Sequence, residues 1–300
     1  MFCGAYRVIK KGIRNGVTRY RCGSCGKSIS SSRRKKRGDR KLWNEYVWEK
    51  QTRPQLARKT GTSTKTIERK LDRYAEEEKK HRPRKLTAIF DATYFGKRNG
   101  VLVVRDPNEK ENLHCHEIYS ETKAEYQKGR DDLEQRGYLL QAVVLDGRRG
   151  IPSVFRDIPV QICHFHQWQI VRRKLTTKPK LESHQVLLSI GRKIAKSNEK
   201  EMRTMLEVFE KRYHSDLTEK TYVTGTKYWR YTHAKLRSAY RSLINNLPNL
   251  YTYQKYPELK IPNTTNSLDG SFNVLKMLVN VHRGLRPDRR LKLIRSILKC

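Results

Sequence analysis

The sequence predicts an α/β protein: a mixed sheet interrupted by an α-helical insertion and preceded by a small zinc-ribbon-like module and a helix-turn-helix. Three observations carry that expectation. The first is the uneven distribution of charge. The 300 residues hold 66 Lys+Arg against 30 Asp+Glu, a net +36. Residues 1–85 carry 27 basic and 8 acidic side chains, residues 86–175 carry 14 and 12, and residues 176–300 carry 25 and 10. The second is a change of pattern at residue 86, where β-rich runs begin. The third is the pair of thiols in Cys22-Gly-Ser-Cys25.

A chain this basic calls for a polyanionic partner, and nucleic acid is the first expectation because each neutralised phosphate releases a counterion. The near-neutral middle argues against a uniform basic coat and for a central domain with its own task. The longest apolar runs, 139–140 and 142–145, are far too short for a membrane span, and no charged-then-apolar leader is seen, so membrane and secreted classes are not expected. Six cysteines, several at metal-like spacing, point to a reducing compartment rather than a disulfide framework.

Taking the chain in order, Cys22 and Cys25 form a knuckle that can place two thiolates on one Zn²⁺, and Cys3 stands at the distance of a second knuckle. Tyr6, Val8, Ile9, Val17 and Tyr20 around Asn15-Gly16 read as the intervening hairpin. The fourth ligand of a complete ribbon would fall before Met1. Residues 30–40, with the Arg33–Arg37 basic block, read as a flexible basic linker. Beyond it, Leu56 and Ala57, then Gly61, then Ile67 and Leu71 give two short apolar faces separated by a turn. Thr62 or Ser63 is suited to cap the second helix, whose Lys65, Arg69, Lys70 and Arg73 are left for solvent or DNA. Residues 76–84 read as a charged linker.

Runs at 86–95, 101–104 and 113–119 predict three strands, followed by a polar helix over 123–136, a buried strand at 139–145, a short helix near 150–156, a strand at 160–165 and a helix from 167. That order is the order of the ribonuclease-H-like fold, in which the first and fourth strands lie side by side. Asp91 interrupts the first strand and Asp146-Gly147 closes the fourth. Adjacent carboxylates repel unless a cation lies between them, and oxygen ligands suit Mg²⁺. An unpaired carboxylate in an apolar strand is costly, which singles out Asp91. Strand alternation over Cys163-His164-Phe165-His166 assigns Cys163 to core packing and His166 to a polar contact near the acids. A second zinc site joining these residues to Cys115 and His116 is disfavoured, because strands three and five are separated in that sheet. Asp269, three residues after Asn266, reads equally as the acid of a capping box or as a third metal ligand. It follows Asp146 by 123 positions, too many for one loop, so an insertion of helices over about 180–213 and 228–247 splits the sheet domain. The insertion is rich in Tyr interleaved with Lys and Arg, and Trp229 is the residue best suited to stack on a base.

These boundaries give a zinc-ribbon-like module at 1–32, a basic linker and DNA-binding helix-turn-helix at 33–85, a sheet domain from 86–175 with 260–300, and an α-helical insertion at 176–259.

In this order the motifs resemble prokaryotic insertion-sequence transposases of the DDE class, most closely the Mutator-like branch, in which Cys/Asp-x-x-His follows the second Asp. Here that signature is Cys163-x-x-His166, followed by Thr264-Thr265-Asn266-x-x-Asp269. The resemblance implies Asp91, Asp146 and Asp269 as a catalytic triad holding Mg²⁺ (or Mn²⁺), with His166 positioning an active-site group and zinc on Cys3, Cys22 and Cys25. It also implies double-stranded DNA partners (element ends and target), a homo-oligomer on DNA, no membrane, and a cytoplasmic, nucleoid-associated location. The family's third residue is commonly Glu, and Asp269 departs from it by one methylene. A non-catalytic DNA-binding regulator and a nuclease of the same fold are the competing expectations.

Overall fold

The computed structural model describes residues 3, 7–14, 17–30, 33–74, 81–96, 99–222 and 224–300, the side chains of 33–38 excepted. Tyr6, the Asn15-Gly16 turn and most of the 76–84 linker lie outside the described residues. The chain forms two units: Met1–Glu78 with Met277–Ile297, and Lys79–Lys276 with Leu298–Cys300.

The first unit begins with a three-stranded antiparallel sheet, β1 (Val8–Arg14), β2 (Val17–Cys22) and β3 (Ser28–Ser30). Helix α1 (Arg33–Val47) follows, so the flexible linker expected over 30–40 is instead largely helical. Its last two turns carry Leu42, Trp43, Tyr46 and Val47 at helical spacing, all buried, and that stripe extends order back through the basic run. Helix α2 (Arg53–Thr60) starts where the Gln55 side chain accepts from the Thr52 amide at 2.8 Å. It ends at Gly61, whose φ of 62° is the left-handed conformation that glycine adopts without a Cβ clash. Helix α3 (Thr64–Arg73) is capped by Ser63, whose Oγ accepts from the Thr66 amide at 3.2 Å. Leu56, Ala57, Ile67 and Leu71 are buried, while Lys65, Arg69 and Arg73 are exposed and Lys70 is half-buried.

The second unit is built on a mixed five-stranded sheet. Strands β4 (Lys85–Tyr94), β5 (Gly100–Asp106) and β6 (Glu111–Ile118) form an antiparallel meander. Helix α4 (Lys123–Gln135) then leads to β7 (Leu139–Leu145), and a 3-10 turn at Ile151–Phe155 leads to β8 (Val160–Ile162). The spatial order is β6-β5-β4-β7-β8, with β7 parallel to both β4 and β8. The first and fourth strands of the sheet are therefore neighbours. Ala88, Phe90, Leu102 and Val104 pack with Tyr126 and Leu133 of α4 on one face. Side-chain alternation sends Asp91 to the other face.

After β8 the chain becomes helical: α5 (His164–Leu175), α6 (Glu182–Arg192), α7 (Glu199–Arg212) and α8 (His214–Thr218). A small hairpin, β9 (Lys220–Tyr222) and β10 (Trp229–Tyr231), precedes α9 (Ala234–Leu250), α10 (Thr252–Lys255) and α11 (Asn266–Val281). Val171, Leu187, Leu206, Phe209, Leu243 and Leu247 form the helical core. Two expectations are corrected here. The strand expected over 160–165 stops at Ile162, and the helix expected from 228 begins at Ala234, because Trp229 and Tyr231 pair across a turn with β9. A further correction concerns the cysteines: Cys115 and Cys300 are joined by a disulfide, their Cα atoms 5.9 Å apart. A separation of 185 residues leaves no spacing signal by which sequence could have paired them. Cys115 on β6 and Cys163 after β8 belong to opposite edges of the sheet, the separation on which a zinc site shared by them was disfavoured.

The last helix, α12 (Pro287–Leu298), belongs for most of its length to the first unit together with the end of α11, whereas the sequence predicts 260–300 to lie entirely with the sheet. Trp43 Nε1 donates to Ser296 Oγ at 2.8 Å, and the Arg289 guanidinium pairs with Asp72 and Glu68. Lys292 donates to the Leu71 and Asp72 carbonyls at 2.7 and 2.9 Å. These contacts tie α12 to α1 and α3.

Candidate active site

The site lies wholly in the second unit, at the carboxyl ends of the central parallel strands. Ile89 pairs with Val144, and carrying that register two residues further sets Asp91 opposite Asp146. Gly147 follows with φ of 80°, and a Cβ there would come within 2.8 Å of the Ile162 side chain. Glycine thus allows the chain to turn sharply directly after the second acid.

Asp91 is 5% exposed. Its Oδ1 accepts from the Ala92 amide at 2.8 Å, and among the described residues no Lys or Arg forms an ion pair with it. Burial pushes its carboxyl up to about 7; the charge of His166 opposes this, and Asp269 and Asp146 add to it. Holding a carboxylate where water cannot solvate it costs the unit stability, which makes Asp91 a candidate functional group.

His166 reaches this carboxylate because Cys163 caps α5 and starts a helix, where the expected strand would have separated the two side chains by alternation. Three residues apart on a helical turn, they meet. Burial would lower the His166 pKa, but its hydrogen bond to Cys163, the Cys163 charge, and the Asp91 and Asp146 carboxylates outweigh burial and raise it to about 9. Burial pushes the Cys163 thiol up, and His166 with Thr265 brings it below its ordinary value. Cys163 is therefore buried, as expected, but it is a polar partner as well as core.

Thr265 ties the third acid to this pair. Its amide donates to Cys163 Sγ at 3.3 Å, its Oγ1 lies 3.4 Å from His166 Nδ1, and its hydroxyl reaches Asp269 Oδ2 at 3.5 Å. The His164 amide donates to the Asn263 carbonyl at 2.9 Å, fastening the segment before α11 to the start of α5. Asn266 is the first residue of α11, and Asp269 faces the cluster in its first turn.

The structure brings Asp91, His166 and Asp269 together: one ligand atom from each lies within 4.8 Å of the others. Asp146 stands just outside this group. Its Oδ1 accepts from the Arg148 amide at 2.9 Å, and it acts on Asp91 and His166 through its charge. A fourth acid, Glu121, escaped the sequence reading. Burial, followed by the charge of Asp146, raises its pKa; Tyr126 donates to it at 3.1 Å, and Arg148 pairs with it at 3.5 Å. It sits in the turn before α4, where no strand pattern marks it.

Asp91 and Asp269, neither of them in an ion pair with Lys or Arg among the described residues, fit a divalent cation. Oxygens of Asp91 and Asp269 suit a hard ion such as Mg²⁺ or Mn²⁺, and His166 would join them as a ligand only after losing its proton. In the first unit, Cys3, Cys22 and Cys25 form a second cluster within 4.8 Å, with Cys3 Sγ 3.4 Å from Cys22 Sγ. Hydrogen bonds from the Cys25 and Ser24 backbone, then from the Cys3 and Cys25 side chains, pull the Cys22 thiol down to about 7. Among the described residues, no helix is long and apolar enough to cross a membrane. The predicted DNA-reading side chains of α3 and the predicted stacking residue Trp229 lie away from the acids in sequence and on separate elements. Scans against protein-family models and curated proteins return no match for this chain.

Proposed function

We propose that this chain is a DNA transposase of the DDE class, with a ribonuclease-H-like catalytic domain, a helix-turn-helix and a zinc-binding module. The observation that carries the reading is the convergence of Asp91, His166 and Asp269, faced by Asp146, on two adjacent parallel strands and the helices beside them. The buried Asp91 carboxylate is the strongest single component: its desolvation is met by the Ala92 amide and the charge of His166, and among the described residues no Lys or Arg pairs with it.

Asp91 and Asp269 would hold Mg²⁺ or Mn²⁺, with Asp146 and Glu121 drawing in further positive charge. A bound divalent ion supplies two things here: acidification of the attacking oxygen's proton and neutralisation of charge on the leaving oxygen. His166, held cationic by Cys163, balances the acids before DNA arrives and orients Asp91. In cleavage, water attacks the phosphorus and the P–O3′ bond breaks, leaving a 3′-OH. In joining, that hydroxyl attacks a target phosphodiester, so one P–O bond forms as another breaks and no outside energy source is needed. The helix-turn-helix, with Lys65, Arg69, Lys70 and Arg73 along α3, would read the element ends. Two ends must be held at once, so a homo-oligomer on DNA is part of the proposal.

The test uses the full chain with Mg²⁺ or Mn²⁺, DNA flanking its own coding sequence, and a supercoiled plasmid as target. Metal-dependent cleavage to a 3′-OH, followed by its joining to the plasmid, is the expected result. Cleavage without joining would reduce the protein to a nuclease, and binding with neither reaction would leave a DNA-binding regulator.

For the first unit we propose zinc on Cys3, Cys22 and Cys25. A thiol titrating near 7 is largely thiolate at slightly alkaline pH and should alkylate rapidly in metal-free protein. Bound Zn²⁺ should protect all three thiols, as read by mass spectrometry after iodoacetamide. Equal labelling with and without zinc would dismiss the site.

A further inference from the structure

We propose that a cleft beside the acids binds an unpaired nucleic-acid strand, holding the part of the DNA that lies beyond the scissile phosphate. This inference rests on the reading of the acids as a strand-cleaving site. The cleft has a volume of about 1020 Å³ and belongs entirely to the second unit. One wall begins at Gly147, the residue after Asp146, and continues through Arg148 and Arg149; α9 forms the other, with Arg237, Arg241 and Asn245. Its size lies at the upper end of the ~300–1,000 Å³ of small-molecule pockets.

Its chemistry is one-sided. Five cationic side chains line it, Arg148, Arg149, Lys174, Arg237 and Arg241, and none of its lining residues is acidic. Arg148 pairs with Glu121, and Arg237 donates to the Leu217 carbonyl at 2.9 Å while lying 4.0 Å from the Tyr231 ring. Arg149, Lys174 and Arg241 have no ion pair among the described residues. Three uncompensated cations along one concave surface match the repeating charge of a phosphodiester backbone.

The hairpin β9–β10 favours an unpaired strand over duplex DNA. Tyr231 joins it to the cleft lining, and Tyr222, Tyr228 and Trp229 are 66%, 78% and 44% exposed. Lys220 Nζ lies 4.1 Å from the centre of the Trp229 ring. Exposed aromatic faces beside a cationic groove are the combination that binds single strands, because bases outside a duplex offer their own faces for stacking. Paired bases offer none. Asn245, Asn246 and Asn249 also line the cleft and supply amides that can meet base edges.

The experiment measures binding of the full chain, without divalent metal, to two fluorescent DNAs: a blunt duplex and the same duplex with a single-stranded oligothymidine tail. The tail should strengthen binding. R149A/K174A/R241A should weaken tailed-DNA binding at least about tenfold and reduce the log-affinity versus log-salt slope by about 2, while blunt-duplex binding stays unchanged. W229A should weaken binding of the tailed DNA by about tenfold on its own. Equal tailed and blunt binding by the parent, or a triple variant indistinguishable from it, overturns the proposal; so does an equal loss on both DNAs, which would make the cleft a duplex site. Cleavage is scored separately with Mg²⁺. If the triple variant loses the parent's tail preference but the parent never cleaves, the catalytic reading alone is refuted; if the triple variant binds the tail as the parent does and the parent cleaves, the cleft alone is refuted.

Discussion

Asp91→Asn is expected to abolish metal-dependent DNA cleavage, by on the order of a thousandfold or more, and to make the metal-free protein more stable at pH 8. The two effects have one cause. Asp91 is buried, and its folded-state carboxyl titrates near 7, against 3.8 when unperturbed. A group whose folded pKa is raised favours folding fully below its unfolded pKa, and that contribution is lost as pH rises through the folded pKa. The loss therefore runs from about pH 4 to just above 7, and at ~1.4 kcal/mol per pK unit it amounts to roughly 4 kcal/mol at pH 8. Asparagine cannot ionise, so the variant escapes that cost at the same volume. Thermal melting of parent and variant should differ by several degrees at pH 8, and the difference should shrink as pH falls and close near pH 4. Excess Mg²⁺ should raise the parent's melting temperature more than the variant's, because a ligand stabilises only the state that binds it. A melting difference independent of pH, or a variant that still cleaves at the parent's rate, would refute the role given to Asp91.

Leu293→Ala should disrupt the helix-turn-helix, although more than 200 residues separate them in sequence. Leu293 and its neighbour Ile294 are fully buried in the first unit, on the helix whose Ser296, Arg289 and Lys292 hold Trp43, Asp72 and the end of α3. Removing a buried leucine side chain costs about 2–5 kcal/mol. Backbone amides in α1, α2 and α3 should then exchange about 30-fold faster or more, with duplex DNA binding weakened in parallel. Faster exchange confined to α12 would show that this helix is not part of the unit's cooperative core.

The strands were legible because burial on both faces writes long apolar runs, and Asp91 stood out against such a run. Gly61 and Ser63 were equally legible, since a left-handed turn and an amide-capping hydroxyl are local requirements of one residue type. Cys163 lies in the core and His166 beside the acids, as the sequence predicts, but the strand expected to carry them gives way to a helix. A strand places them on opposite faces, whereas a helix beginning at His164 brings them together, and the apolar pattern of four residues does not distinguish the two. Trp229 was placed in a helix for a related reason: a three-residue strand is too short to show alternation.

By itself the sequence determined that the protein is α/β, that its positive charge flanks a nearly neutral sheet, and which acids belong at the ends of neighbouring strands. Those properties are local or compositional, and each leaves a periodic or statistical trace. Only the tertiary structure decided that Asp269 joins Asp91 and His166, that Asp146 stands beside them with Glu121, that α12 completes the amino-terminal unit, and that Cys115 meets Cys300. Each of these joins side chains far apart in the chain. Such meetings depend on how whole elements bury their faces against one another, and a contact of that kind leaves no repeat, run or spacing in either partner.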